Sequence, residues 1–108
     1  MFNVKLGKSS GIFKAQKIIQ LAEKAGIKMQ VGGFLESRLG FTAAAHFALT
    51  SENIVHCDFD TPLMFVDDPV AGGINYDDEG VVTVPETIGL GASFEDDYLK
   101  LLPKAVIS

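Results

Sequence analysis

The sequence predicts an α/β fold built on a parallel sheet, and three observations carry that prediction. Residues 2–58 alternate strand-like and helix-like segments in the order strand, helix, strand, helix, strand. Polar or glycine-rich turns separate the segments, and the strand-like ones are too short to be helices. Strands that alternate with helices pair in parallel through right-handed crossovers. After Pro62 the alternation stops, and the remaining segments read as a tail of short strands and one short helix.

Phe2-Asn3-Val4-Lys5-Leu6 opens the chain with period two, Val4 and Leu6 on one face, Asn3 and Lys5 on the other. Gly7-Lys8-Ser9-Ser10-Gly11 breaks the strand and offers Ser9 or Ser10 as a helix N-cap. Ile12, Ala15, Ile18 or Ile19, Ala22 and Ala25 then recur at helical spacing, and Gly26 is the expected stop. Ile27 to Val31 is the second strand, ending at Gly32-Gly33. Ser37 is placed to cap the next helix, whose run Phe41 to Leu49 is rich in alanine. The third strand spans Ile54 to Asp58. In the tail, Ile74-Asn75-Tyr76 and Val81 to Val84 form the arms of a hairpin across Asp77-Asp78-Glu79-Gly80. Gly89-Leu90-Gly91 reads as a flexible turn. Ser93-Phe94-Glu95-Asp96 resembles a capping box opening a helix that Pro103 ends.

Composition narrows the function classes. With 108 residues and a net charge of -5, the chain shows no basic patch to attract nucleic acid or an anionic membrane. No apolar run approaches the length of a membrane span, and no secretory leader is visible. The single Cys57 cannot form an internal disulfide, which suits a cytoplasmic setting. On its strand Cys57 is expected to be buried rather than nucleophilic. Three parallel strands cannot close a barrel of about 250 residues. Standing alone they leave unpaired edges, so we expect a carboxyl-terminal portion of a larger barrel enzyme.

Chemistry concentrates at the carboxyl ends of the strands. Asp58 and Asp60 flank Phe59 and share one face about 6–7 Å apart. Two converging carboxylates repel unless a cation or proton lies between them. They are either an open solvated pair, a set of turn caps, or a cation site. A metal requires a third ligand that neither Glu52 nor His56 supplies convincingly, so a substrate ammonium is the simpler guest. Lys5, near its strand's end and opposite Val4 and Leu6, points into a barrel mouth or else snorkels from an edge strand. In a mouth it is a candidate base, because catalytic lysines are tuned from about 10.4 down to roughly 7–8. Lys8 reads as a solvated loop charge, and His46 as a packed or hydrogen-bonded helix residue. Glu36 and Ser37 follow another strand's end and are placed to line the same mouth. Gly7 to Gly11 matches no phosphate-binding fingerprint.

Asn3-Val4-Lys5-Leu6-Gly7-Lys8-Ser9-Ser10-Gly11-Ile12, Val31-Gly32-Gly33-Phe34-Leu35-Glu36-Ser37-Arg38-Leu39-Gly40 and Thr42-Ala43-Ala44-Ala45-His46-Phe47-Ala48 resemble the dipeptide epimerases. That group, of the L-Ala-D/L-Glu epimerase type, belongs to the muconate-lactonizing-enzyme subgroup of the enolase superfamily. Cys57-Asp58-Phe59-Asp60-Thr61-Pro62-Leu63 is similar to its Asp-x-Asp motif, and Gly72 to Tyr76 to the segment that follows. The resemblance implies a (β/α)7β TIM-like barrel joined to an α+β capping domain. Residues 1–69 would supply strands six to eight, and residues 70–108 a hairpin and short helix returning to the capping domain. By the same resemblance Lys5 is the acid/base lysine, and Asp58 and Asp60 hold the α-ammonium of a dipeptide. Mg²⁺, its three carboxylate ligands and a second lysine would belong to parts outside this chain. The isolated chain is accordingly expected to be inactive, and the full-length enzyme to be a homo-oligomer. A cycloisomerase or o-succinylbenzoate synthase of the same superfamily is the alternative, and a non-catalytic fragment is another.

Overall fold

Alternation of Val4 with Asn3 and Lys5 gives β1 (Phe2–Lys5) in the computed structural model, which describes residues 1–107. β2 (Met29–Gly32) and β3 (Ile54–Cys57) complete one parallel sheet in the order β1-β2-β3. The crossovers are α1 (Ile12–Lys24) and α2 (Arg38–Ala48), as the alternation predicts. Val4, Met29 and Val31 from the sheet meet Ala15, Ile19 and Ala22 of α1, and Phe41, Ala44, Ala45 and Phe47 of α2, in one core. Alanines at the contacts let both helices lie close to the strands.

The ends of α1 depart from the expected pattern. Ile12 is 48% exposed and Ala25 is also exposed, so the buried stripe shortens to Ala15, Ile19 and Ala22. Strands of four residues run only about 13 Å, close to the roughly 10 Å that Ala15 to Ala22 cover along a helix. Neither Ser9 nor Ser10 caps α1. Gly11 holds the N-cap position without a side-chain acceptor. Ser10, at φ 61°, turns the chain left-handed, and the amides of Lys8 and Ser9 are taken up by the Lys5 carbonyl. At the other end the Gly26 amide donates to Glu23 O at 3.1 Å and the Ile27 amide to Ala22 O at 2.8 Å. That pair of bonds, with Gly26 at φ 67°, is a Schellman stop. Ser37 caps α2 as expected, accepting from the Leu39 amide at 3.3 Å.

Past β3 the chain makes a 3-10 turn over Thr61–Met64, then β4 (Val70–Gly72), β5 (Asn75–Tyr76), β6 (Val82–Thr83), β7 (Ala92–Phe94) and α3 (Asp96–Lys100). β5 and β6 form the expected antiparallel hairpin, whose turn Asp77 closes by accepting from the Glu79 and Val81 amides. The capping box at Ser93 does not form. Ser93 instead pairs with Ala71 in an antiparallel β4–β7 ladder, and the Glu95 amide donates to Pro69 O at 2.7 Å. The helix therefore begins only at Asp96, behind a Glu95 that makes no side-chain cap.

One side chain of α2 fastens this tail. Arg38 donates through Nη1 to Gly72 O at 2.5 Å and Ile74 O at 3.0 Å, through Nη2 to Val70 O at 2.6 Å, and through Nε to Asp68 Oδ2 at 2.7 Å. One turn along, Thr42 Oγ1 donates to Arg38 O at 2.6 Å and accepts from the Ile74 amide at 2.9 Å. Gly73 lies between at φ 81°, where an added Cβ would stand 2.7 Å from Thr42 Oγ1. Ile74 is thereby driven fully into the core, a burial that stabilises by about 1.5–3 kcal/mol.

The radius of gyration is 15.2 Å, against about 13 Å for a compact domain of this length. Leu35, Leu63, Met64 and Val66 accordingly stand at least 65% exposed. Among the described residues no helix is long and apolar enough to cross a membrane. Thr42→Val keeps the shape of the buried side chain but leaves the Ile74 amide unpaired. It should cost about 1–3 kcal/mol in urea denaturation, whereas Thr83→Val at an exposed position should stay within about 0.5 kcal/mol.

Candidate functional site

Lys5, Gly32 and Asp58 form a row across the mouth of the sheet. Lys5 pairs with Gly32, and the Asp58 amide donates to Val31 O at 2.9 Å, which extends the β2–β3 register by one residue. Residues paired across a parallel ladder point to the same face, so Lys5 and Asp58 project together while Val4 and Val31 are buried under the helices. A Cβ at Gly32 would lie 3.3 Å from Asn3 Oδ1 and 3.9 Å from Asp58 Cβ. With strands about 4.8 Å apart, the Lys5 and Asp58 backbones are roughly 9–10 Å apart. No side chain rises from Gly32 between them.

A bulge decides which face Asp58 takes. Met29 pairs with Ile54, but the next residue, Gln30, pairs with His56, so Val55 is an extra residue in β3. Without it Cys57 would stand beside Gly32, and Asp58 would turn toward the helix side. Bulges re-aim side chains in this way next to active sites.

The loops beyond the strands are tied to one another. Phe34, after β2, presents its ring to Lys5 Nζ at 4.9 Å and to Lys8 Nζ at 5.9 Å from the centroid. The ring also reaches the Gly7 loop, 3.2 Å from where a Cβ at Gly7 would lie. Thr61, after β3, has its hydroxyl 3.2 Å from both Phe34 O and Glu36 O, and accepts from the Glu36 amide at 3.3 Å. Glu36 is held to Thr61 through its backbone, and Ser37 serves as the α2 cap. In the Gly7–Gly11 segment the Lys8 and Ser9 amides donate to Lys5 O and the Gly11 amide to Leu6 O.

Asp58-Phe59-Asp60 is held in three ways. Phe59 is 7% exposed and packs on Phe41 with ring centroids 5.3 Å apart. The Asp60 carbonyl accepts from the Leu63 amide at 3.0 Å. The Tyr76 hydroxyl, on β5, donates to the Phe59 carbonyl between the two acids. Burial raises the Tyr76 phenol above its ordinary 10.0, with Asp60 and Asp68 adding to the rise and Arg38 opposing it. The phenol is therefore a proton donor across the neutral range. Both carboxylates are exposed and border a hollow of about 750 Å³ between α2, β3 and the β5–β6 hairpin. Lys5 does not line that hollow. Lys5, Asp58 and Asp60 take no ion-pair partner among the described residues, where the pairs are Arg38–Asp68 and Lys100–Asp97.

His46 is hydrogen-bonded, its Nε2 3.3 Å from Leu90 O, so the Gly89–Gly91 turn is anchored on α2. Cys57 corrects the expectation of a buried thiol: it is exposed, on β3 at one edge of the sheet. Arg38, Thr42, Thr61 and Tyr76 carry the geometry yet escape a reading of the sequence, since each acts on a backbone group distant in the chain. Partial burial still pushes the Cys57 thiol up from its ordinary value of 9.0. Its alkylation by iodoacetamide, followed against pH, should therefore show a midpoint above 9.0.

Comparison with known proteins agrees with this geometry. Residues 1–98 match the family model described as enolase C-terminal domain-like. The chain is 62% identical over 107 residues to a D-Ala-D/L-Ala epimerase of Cytophaga hutchinsonii, covering 99% of this chain and 29% of that protein. A crystal structure of dipeptide epimerase from Cytophaga hutchinsonii, complexed with Mg and the dipeptide D-Ala-L-Val, superposes with a TM-score of 0.90 at 64% identity. That match spans 92% of this chain and 27% of the other. A substrate-liganded L-Ala-D/L-Glu epimerase from Bacillus subtilis gives 0.80 at 46% identity, over 83% and 25% of the two chains. The chain thus spans less than a third of the length of these relatives. The register that sets Lys5 beside Gly32 and Asp58, and the family match over residues 1–98, lead to one conclusion: this chain belongs to the enolase C-terminal domain-like family.

Proposed function

We propose that the chain is the carboxyl-terminal part of a Mg²⁺-dependent dipeptide epimerase in which Lys5 moves the α-proton and Asp58 and Asp60 hold the α-ammonium. The observation that carries this reading is the Lys5–Gly32–Asp58 row at the carboxyl ends of three parallel strands. In this assignment β1, β2 and β3 are strands six to eight of a (β/α)7β barrel. The expanded radius of gyration and the exposed Leu63, Met64 and Val66 support a body that further chain covers. Residues 1–69 belong to the barrel, and residues 70–108 run toward a capping domain. We assign the whole enzyme to the cytoplasm and expect a homo-oligomer.

Epimerisation breaks the bond between the α-carbon and its hydrogen and forms a new one on the opposite face. Lys5, as the neutral amine, accepts the proton on its own side, or as the ammonium returns one. The group acting on the other face comes from outside this chain. Asp58 and Asp60 accept hydrogen bonds from the substrate ammonium, which fixes the α-carbon relative to Lys5. Mg²⁺, present in the complexes of the relatives, supplies charge stabilisation in such chemistry. This chain does not fit that ion: among the described residues no three His, Cys, Asp or Glu side chains converge to hold a metal. Asp58 and Asp60 alone fall short of the six or so oxygens Mg²⁺ takes. The ion is assigned to ligands elsewhere in the enzyme.

With full-length enzyme in D₂O, a dipeptide should take up deuterium at one α-carbon. Lys5→Ala should slow that exchange by about 10²–10⁴-fold. Asp60→Asn should lower kcat/KM for free-amino dipeptides by roughly 10–100-fold, the size of a lost charge-assisted hydrogen bond. No exchange across a broad dipeptide library would refute the reading, and undiminished activity of Asp60→Asn would favour a cycloisomerase or o-succinylbenzoate synthase. The 108-residue chain alone, given Mg²⁺ and the same dipeptides, should exchange nothing; measurable exchange would reject the division of the site.

A further inference from the structure

We propose that Tyr76 is a positioning residue for the Asp58/Asp60 pair, acting through its hydrogen bond to the Phe59 carbonyl; this rests on the ammonium-anchor reading given above. β3 is an outer strand whose last bond to β2 runs from the Asp58 amide to Val31 O, so no strand lies on the outer side of the Asp58–Asp60 peptides. The Phe59 ring is seated against Phe41. Rotation of the 59–60 peptide would leave that ring seated while swinging Asp60 away from Asp58. The Tyr76 hydroxyl takes hold of the carbonyl that such a rotation moves.

Tyr76 is itself held firmly. It sits one residue past Asn75 on β5, paired with Val82, and two past Ile74, which Thr42 and Arg38 clamp to α2. The ring packs against the core, so α2 is linked through Tyr76 to the spacing of the two carboxylates. Burial keeps the phenol protonated, which preserves the donor through the neutral range. Phenylalanine at position 76 would keep the packing and delete only the donor.

The test is a double-mutant cycle on the full-length enzyme, comparing Tyr76→Phe, Asp60→Asn and both together by α-proton exchange of a free-amino dipeptide. Tyr76→Phe should raise KM by up to about tenfold, the upper end for one lost neutral hydrogen bond, with kcat changed less than threefold. In the Asp60→Asn background the same change should cost less than twofold, because the carboxylate it places is gone. An equal loss in both backgrounds, or no loss in the parent enzyme, would overturn the proposal while leaving the anchor intact. If Asp60→Asn is itself silent, the anchor reading falls and this proposal falls with it.

Discussion

Side chains on a strand alternate between two faces, and this constraint governs everything at the mouth of the sheet. One face must meet α1 and α2, so Val4, Met29 and Val31 are committed to the core. Whatever is paired with Gly32 is then committed to the opposite face. In β3 the core pairing starts at Ile54, and plain continuation would send Asp58 to the helix side. The extra residue Val55 absorbs one step, and the pleat resumes with His56 beside Gln30 and Cys57 beside Val31. An exposed acid thereby stands level with Lys5 on the far side of the sheet. A slip of one residue would bury a carboxylate without a partner, at a cost of several kcal/mol, so the register is strongly held.

The tail depends on that arrangement and in turn stiffens it. Arg38 has donors in a rigid fork, and Val70, Gly72 and Ile74 offer carbonyls at matching positions along one curved segment. Asp68 completes the fork but is half exposed, and its pairing adds little beside the carbonyl bonds. Glycine at 73 is demanded by φ 81° and by the nearness of Thr42, so the backbone can lie directly on α2. From there the hairpin carries Tyr76 back over Phe59. The tail is a brace whose far end reaches the carboxylate pair.

Much of this was legible in the sequence because it depends on short-range rules. Period two in Val4 and Leu6, the Gly26 stop, the Ser37 cap and the Asp77–Gly80 turn each follow from a few adjacent residues. Alternation alone predicts Asp58 and Asp60 on one face, but β3 ends at Cys57 and Asp60 is already in helical backbone at the head of the 3-10 turn. What escaped depends on partners far along the chain. Ser93 looks like a cap until Ala71 claims its backbone, and Cys57 looks buried but stands exposed on β3 at one edge of the sheet. The Val55 bulge has no glycine to mark it. Arg38 and Tyr76 carry no local signal, because the carbonyls they serve lie far along the chain. The Asp58–Phe59–Asp60 motif and Lys5 were named from pattern and resemblance; the row that joins Lys5 to Asp58 required the register.

On the proposed reading, the strength of the carboxylate pair depends on what covers it. In this chain Asp58 and Asp60 are exposed, and in bulk water an ammonium 4 Å from a carboxylate gains only about 1 kcal/mol. At the effective dielectric near a protein surface the same contact is worth about 4 kcal/mol. The difference comes from excluding water, which on that reading falls to the rest of the enzyme, since this chain covers 29% of the length of its Cytophaga hutchinsonii relative. Two fixed acids that attract little while open, and much once closed, bind a substrate ammonium only when the rest of the site is assembled around it. On the proposed reading, the anchor and the proton chemistry assigned to Lys5 would depend on the same closure, so a dipeptide would be held firmly only where it can also react.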